Sequence, residues 1–208
     1  MNVLENYQKI INSIRSISSN ANLVVVCKNQ TMDRIKVLLD HGHIHFAENR
    51  VQEAEMKWSN LNVKNIQLHL IGGLQSNKAK QAFKIFHYIH SLDSEKLAKT
   101  FSSLEAINQK KIKYFIQVNI GDEPQKNGIS IFHVSNFVNY CVNDLKLNIL
   151  GLMCIPPVSQ NPESHFLKLK ELNTSNKLKE LSMGMSNDFE TAIKCGSTFV
   201  RVGSSIFK

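Results

Sequence analysis

A chain of 208 residues with 42% hydrophobic and 20% charged residues is far from the composition of disordered segments and long enough to bury one substantial core. Its formal net charge is +8, yet Lys78, Lys80, Lys84, Lys96, Lys99, Lys168, Lys170, Lys177 and Lys179 fall at helix-like spacings among polar neighbours, the pattern of solvated helix faces and not of a nucleic-acid footprint. The longest apolar runs, LVVVC and LNILGLMCI, are too short to cross a bilayer, and the N-terminus has no uninterrupted apolar core for a signal peptide.

Leu4, Tyr7, Ile10, Ile11, Ile14 and Ile17 recur at three and four residues, which predicts an amphipathic N-terminal helix ended by SSNAN. The period then changes. Leu23 to Cys27 form a continuous run rich in β-branched residues, expected of a strand buried on both faces, and a helix follows from about Met32 to a stop at Gly42. HIHF predicts a strand and Glu48 to Trp58 a helix. IQLHLIG leads to a helix opening near Gln75, and YIHSL to one beginning near Ser94 with Asp93 or Ser94 as its cap. Lys110, Lys111 and Lys113 mark a helix end, where cations suit the dipole. KYFIQVNI precedes a helix across Ile131 to Cys141, and LNILGLM a long helix near Ser164 to Leu178. ELSMG gives way to a short helix over Asp188 to Lys194, and TFVRVG closes the chain.

Eight strands alternating with helices specify a parallel sheet, and eight such units are what a closed (β/α)8 TIM barrel requires. An open doubly wound sheet would use the same units; the barrel is the preferred reading. Residues 1–208 are expected to form one domain. The chain stops just after the eighth strand, which leaves little or no final helix in the usual place and makes the N-terminal helix available to cover the gap. Cys27, Cys141, Cys154 and Cys195 are scattered, with no CxxC pair, and read as reduced thiols; a cytoplasmic protein with no membrane partner is expected.

In such a barrel the active face lies at the C-terminal ends of the strands, and phosphate commonly binds after strands seven and eight. Strand seven runs into SMGMSND and strand eight into VRVGSS, each pairing glycine with serine before a turn, where backbone N–H groups and a hydroxyl can hold an anion. Lys28 ends strand one on the same rim. A lysine held against apolar walls has its pKa lowered from about 10.4, and the neutral amine can form a Schiff base with a carbonyl. A phosphorylated aldehyde would explain lysine and loops together: pyridoxal 5′-phosphate, or a sugar phosphate in a Schiff-base aldolase. Arg201, two residues before Gly203, shares its face and points into the mouth if Gly203 does; a guanidinium there could donate to a pyridine nitrogen and weaken the ring as an electron sink.

The segments VVVCKNQT, HFAENRVQEAEMK, LHLIGGLQSNK, QVNIGDEPQKNGI, ILGLMCIP, LSMGMSNDFETAI and GSTFVRVGSSIF, in order from about residue 22 to 207, resemble the pyridoxal phosphate homeostasis protein family. GMSNDFETAI and FAENRVQE are the most distinctive. The resemblance implies the barrel domain of alanine racemase and a protein that binds pyridoxal 5′-phosphate through the strand-one lysine and carries or buffers it without robust catalysis. Carried over, Lys28 would be the Schiff-base lysine and Arg201 the partner of the pyridine nitrogen. Ser186 with the backbone of Met185, and Gly203 with Ser204, would hold the phosphate, and Asn49 would lie against the ring. The chain departs from the family at Ala47, Gly73 and Gln30, the last standing where many relatives have a second basic residue. Lys126 matches the family without an assigned function.

Racemisation needs a base on each face of the substrate adduct, and Lys28 supplies one. Tyr7, Tyr88, Tyr114 and Tyr140 read as packing residues, none on the rim. A vitamin B6 carrier that releases its cofactor to apo-enzymes is therefore expected, as a monomer. An amino-acid racemase or lyase using the same cofactor is the alternative. His43 and His45 lie on one strand face but lack a carboxylate at metal-site spacing, and His69 reads as a hydrogen-bonded core histidine.

Overall fold

In the computed structural model, residues 2–59 and 65–208 are described. The strands are β1 (Asn22–Val26), β2 (His45–Glu48), β3 (Gln67–Leu70), β4 (Tyr88–Leu92), β5 (Lys113–Asn119), β6 (Ile129–Ser130), β7 (Asn148–Met153), β8 (Glu180–Ser182) and β9 (Phe199–Val202). All pair in parallel, and β4 joins β5 while β1 joins β9, so eight of them close into a barrel. The two-residue β6, which the pattern does not announce, pairs with β5 outside the ring.

Strand alternation divides the apolar residues into two sets. Val24, Ala47, Tyr88, Phe115, Met153 and Phe199 fill the barrel interior. Leu23, Val25, Phe46, Leu68, Ile89, Tyr114, Leu152 and Val200 join a second cluster with the helices. Burial on both faces is why LVVV shows no polar alternation.

The helices are α1 (Val3–Ile17), α2 (Met32–Asp40), α3 (Val51–Trp58), α4 (Ala79–Ile85), α5 (Glu95–Asn108), α6 (Val134–Asn139), α7 (Pro162–Ser175) and α8 (Phe189–Lys194). Helix α1 packs against both α2 and α8, and so takes the eighth place in the outer ring. Asn6 Nδ2 fastens it by donating to the Ile206 carbonyl at 3.2 Å. Gly42, with φ +85°, follows α2, and the Ser94 hydroxyl caps α5 by accepting from the Leu97 N–H.

Several predicted boundaries differ. Glu48 ends β2 and does not begin a helix, because its side chain turns outward to bond Lys57 and Trp58 from α3. A 3-10 turn at Ser76–Lys78 precedes α4. The helix predicted over Ile131–Cys141 is a 3-10 turn, then α6, then a π-turn at Tyr140–Asp144. Helix α7 starts two residues early, at Pro162, because Asn161 caps it, and stops at Ser175, before the left-handed Lys177 at φ +56°. The three lysines lie past the left-handed C-cap Gln109, and Lys110 Nζ reaches back to the Phe83 carbonyl at 3.0 Å.

Candidate functional site

The inward phase of β1 runs Val24, Val26 and, past the strand's end, Lys28; that of β2 ends at Asn49; that of β9 runs Phe199, Arg201 and Gly203. These phases converge at the C-terminal mouth on a cavity of ≈650 Å³. Lys28, Asn49, Met185, Ser186, Arg201, Gly203 and Ser204 all line it, with Val26, Ile71, Ile155 and Pro156 as apolar wall. Residues 175 positions apart in sequence, Lys28 and Gly203, therefore share one concave surface.

Arg201 is buried, and its guanidinium bonds inward. Nη1 donates to the Ser182 carbonyl at 2.7 Å and to the Ser182 hydroxyl at 2.5 Å, while Nη2 donates to the Cys154 carbonyl at 2.9 Å. Burial lowers its pKa to about 10, still a cation at neutral pH. The planar fork is thus clamped with one edge to β8 and the loop after β7 while the residue lines the cavity.

Lys28 stands exposed at the rim, two residues past β1, so the apolar enclosure expected of it is not supplied by the chain alone. A half-buried strut holds its turn instead. Asn29 adopts φ 58°, and its N–H donates to Glu53 Oε1 at 2.8 Å. Lys57 Nζ, on the same helix as Glu53, donates to the Cys27 carbonyl at 2.7 Å, to Glu53 at 2.7 Å and to Glu48 at 3.1 Å. Trp58 Nε1 also donates to Glu48. Burial pushes the Glu48 carboxyl up, opposed by the Trp58 and Lys57 bonds. The i,i+4 pair Glu53 and Lys57 is visible in the sequence; its role beneath Lys28 is not. Gln30 is occupied elsewhere, accepting from Arg34 at 2.7 Å, while Arg34 reaches the Phe207 carbonyl at 2.6 Å.

The two Gly-Ser loops have packing reasons as well as the predicted one. Gly203 lies against β1, where a Cβ would come within 2.8 Å of the Val26 carbonyl oxygen. Gly184, at φ +93°, presses on α8. The Met185 N–H already donates to Asp188 Oδ1 at 2.6 Å, so of the predicted anion donors this one is occupied. Asn49 Oδ1, by contrast, is buried without a hydrogen-bond partner. A second cavity of ≈340 Å³ adjoins the first through Asn49, Ile71 and Ile155 and includes Lys126, which pairs with Glu123 at 2.5 Å. His43 bonds Tyr7 and the His45 carbonyl, and no group of three or more metal-ligating side chains occurs among the described residues.

A family model described as the N-terminal domain of alanine racemase matches residues 2–208. The alanine racemase of Bartonella henselae, solved with covalently bound pyridoxal phosphate, shares the fold at a TM-score of 0.76 and 15% identity, covering 99% of this chain and 58% of that one. Fold and match define an alanine-racemase-type barrel. The pyridoxal phosphate homeostasis protein of Aquifex aeolicus (strain VF5) is 35% identical over 214 residues, 99% of this chain and 94% of that protein. That of Escherichia coli (strain K12) is 32% identical over 200 residues, 89% and 84% of the two. PipY of Synechococcus elongatus PCC7942, solved with PLP bound, has a TM-score of 0.89 and 30% identity over 100% of both chains. The chain belongs to the pyridoxal phosphate homeostasis protein family.

Proposed function

We propose that this protein binds pyridoxal 5′-phosphate reversibly as a Schiff base on Lys28 and buffers or delivers it to apo-enzymes, a role in vitamin B6 homeostasis without robust catalysis. The observation that carries the reading is the meeting of an exposed primary amine, a buried guanidinium and two Gly-Ser loops on one ≈650 Å³ cavity. The cavity fits the cofactor in a further respect. Asn49 Oδ1 is a buried acceptor with no donor, the kind of group left for a ligand to satisfy. When bound, the cofactor supplies an aldehyde that a primary amine attacks with loss of water. Arg201 has only donors, so it would meet the ring nitrogen as an acceptor and leave it unprotonated. Ser186, Gly203 and Ser204 would hold the phosphate, together with the loop backbone beyond Met185.

The positions of the tyrosines support a carrier. Tyr114 is buried and donates to Glu105 at 2.9 Å, and Tyr88 accepts from Lys113 at 2.9 Å. The Tyr7 hydroxyl bonds His43 at 3.2 Å, and Tyr140 lies under Lys99. None lines the cavity, where a second base would have to stand. Exposed Lys28, Met185 and Val158 leave the mouth open for exchange. No helix among the described residues is long and apolar enough to cross a membrane, and all four cysteines are free and buried. The same reading makes the protein a cytoplasmic monomer that binds neither nucleic acid nor membrane, with residues 1–208 as one cofactor-binding domain.

The test is to add pyridoxal phosphate to wild type and to Lys28→Ala and record absorption before and after borohydride reduction. A band in the wild type, reduced to an adduct on Lys28 and absent in the variant, is expected. No lysine-dependent band would overturn the reading, and enzymatic exchange of solvent deuterium into the α-position of free amino acids would replace the carrier with a racemase.

A further inference from the structure

Strands β2, β3 and β4 each place a histidine on the inward phase, and the three rings form an unbroken hydrogen-bonded string. His45 Nδ1 lies 2.9 Å from His69 Nε2, and His69 Nδ1 lies 2.8 Å from His90 Nε2. His90 Nδ1 lies 2.8 Å from the Ser182 hydroxyl, the same hydroxyl that Arg201 Nη1 approaches at 2.5 Å. The string runs from the lower barrel to the cavity floor. His69, His90 and Ser182 are fully buried, and the rings are wedged against Tyr88, Phe115 and Phe199, with His69 stacked on Tyr88 at 4.1 Å.

The donor at one end dictates the direction of every bond. Burial holds His45 down to about 4 and keeps His69 and His90 well below the usual histidine range. The ionic groups bearing on the rings are cations, Lys113 at His45 and His69 and Arg201 at His90, so each ring is neutral at pH 7. A neutral imidazole has one donor and one acceptor nitrogen, and a guanidinium only donates. A serine hydroxyl can accept twice, but among the described residues Ser182 Oγ bonds only Arg201 Nη1 and His90 Nδ1, so it accepts from Arg201 and its own proton, with no other acceptor at hand, goes to His90 Nδ1. That puts the His90 proton on Nε2, facing His69 Nδ1. By the same step the protons of His69 and His45 lie on Nε2.

We propose that Ser182 and His90, backed by His69 and His45, are positioning residues for Arg201: a string polarised in one direction that orients the guanidinium toward the ring nitrogen of the bound cofactor. This rests on the cofactor reading above. A hydroxyl that donates to an imidazole is a stronger acceptor, so the string tightens the Ser182 bond to a buried cation whose other hydrogen-bond partners among the described residues are two backbone carbonyls.

The first arm of the test uses the protein without added ligand. Long-range proton–nitrogen NMR correlations report which ring nitrogen holds each proton. All three histidines are expected as the neutral Nε2–H form at pH 7; a proton on Nδ1 of any of them, or a charged ring, overturns the string. In Ser182→Ala, a small truncation, His90 loses its imposed direction and is expected to populate both tautomers, while His165, on α7 and bonded to Gln160, is unchanged. The second arm titrates pyridoxal phosphate. Ser182→Ala is expected to bind about fivefold more weakly, the equivalent of one net hydrogen bond, with a shifted absorption band. Wild-type affinity and an unshifted band in this variant would overturn the positioning role. If wild type forms no lysine adduct, the cofactor reading fails and with it the target of the positioning, while the tautomer spectra decide separately whether the polarised string exists.

Discussion

At the lower end of the barrel interior His45, His69 and His90 bond one another among Tyr88, Phe115 and Phe199, while at the upper mouth Asn49 Oδ1 is buried without a partner and Lys28 stands exposed over a cavity. Both regions are built from the inward phase of the same strands. The lower one satisfies its polar groups within the fold and so contributes stability. The upper one leaves an acceptor unmet at a cost of roughly 1–3 kcal/mol, which is the expected state of a site shaped for something from outside. Between them Arg201 belongs to both, bonded downward to Ser182 and lining the cavity above.

The largest expected effect lies below. Phe199→Ala should lose about 3–5 kcal/mol in urea unfolding, since its ring packs against Phe115 at 5.4 Å and against the histidines. A loss under 1 kcal/mol would mean that the lower interior is not the tight region described. Lys57→Met probes the strut beneath the mouth. It strips the buried Glu48 carboxylate of its ionic partner and should cost about 3 kcal/mol, with weaker formation of the Lys28 adduct. Unchanged stability would show the strut to be dispensable.

Acid should act through the lower region. His45, His69 and His90 have folded-state values below their unfolded value near 6.5, so on lowering the pH the unfolded chain binds protons first. Stability should be at its full value above about pH 6.5 and fall towards pH 4, by up to ~1.4 kcal/mol per pH unit for each fully buried histidine. Urea midpoints at pH 7.5 and 5 measure it, and His69→Gln should flatten the slope; an equal slope in that variant would assign the acid sensitivity elsewhere. The smallest effect separates the regions most directly. Asn49→Leu removes the unmet acceptor and should stabilise the ligand-free protein by about 1 kcal/mol while weakening pyridoxal phosphate binding. Destabilisation would show that the amide has a structural partner.

Much of this was legible in the residues. Apolar runs of strand length between helical periods announced the eight barrel strands, and the inward phase shared by Arg201 and Gly203 follows from a two-residue repeat. Less legible were boundaries set by distant partners. Glu48 reads as a helix start until Lys57 and Trp58 are seen to bond it. The glycines of the two loops read as anion contacts, yet Gly203 is also required by the approach of Val26 and Gly184 by α8. The histidines at 45, 69 and 90 carried a signal, one inward-phase ring on each of three successive strands, that becomes a string only when those strands are neighbours.

By itself the sequence determined the alternation of elements, the phase of each strand and the chemistry available on each phase, because these depend on local periodicity and residue type. Only the tertiary structure decided that Lys28 stands exposed on a half-buried strut, that the Met185 N–H is already occupied and that Arg201 heads a string of rings. Those outcomes depend on which strands lie side by side and how far each is staggered, and barrel closure sets both through contacts between residues far apart in the chain.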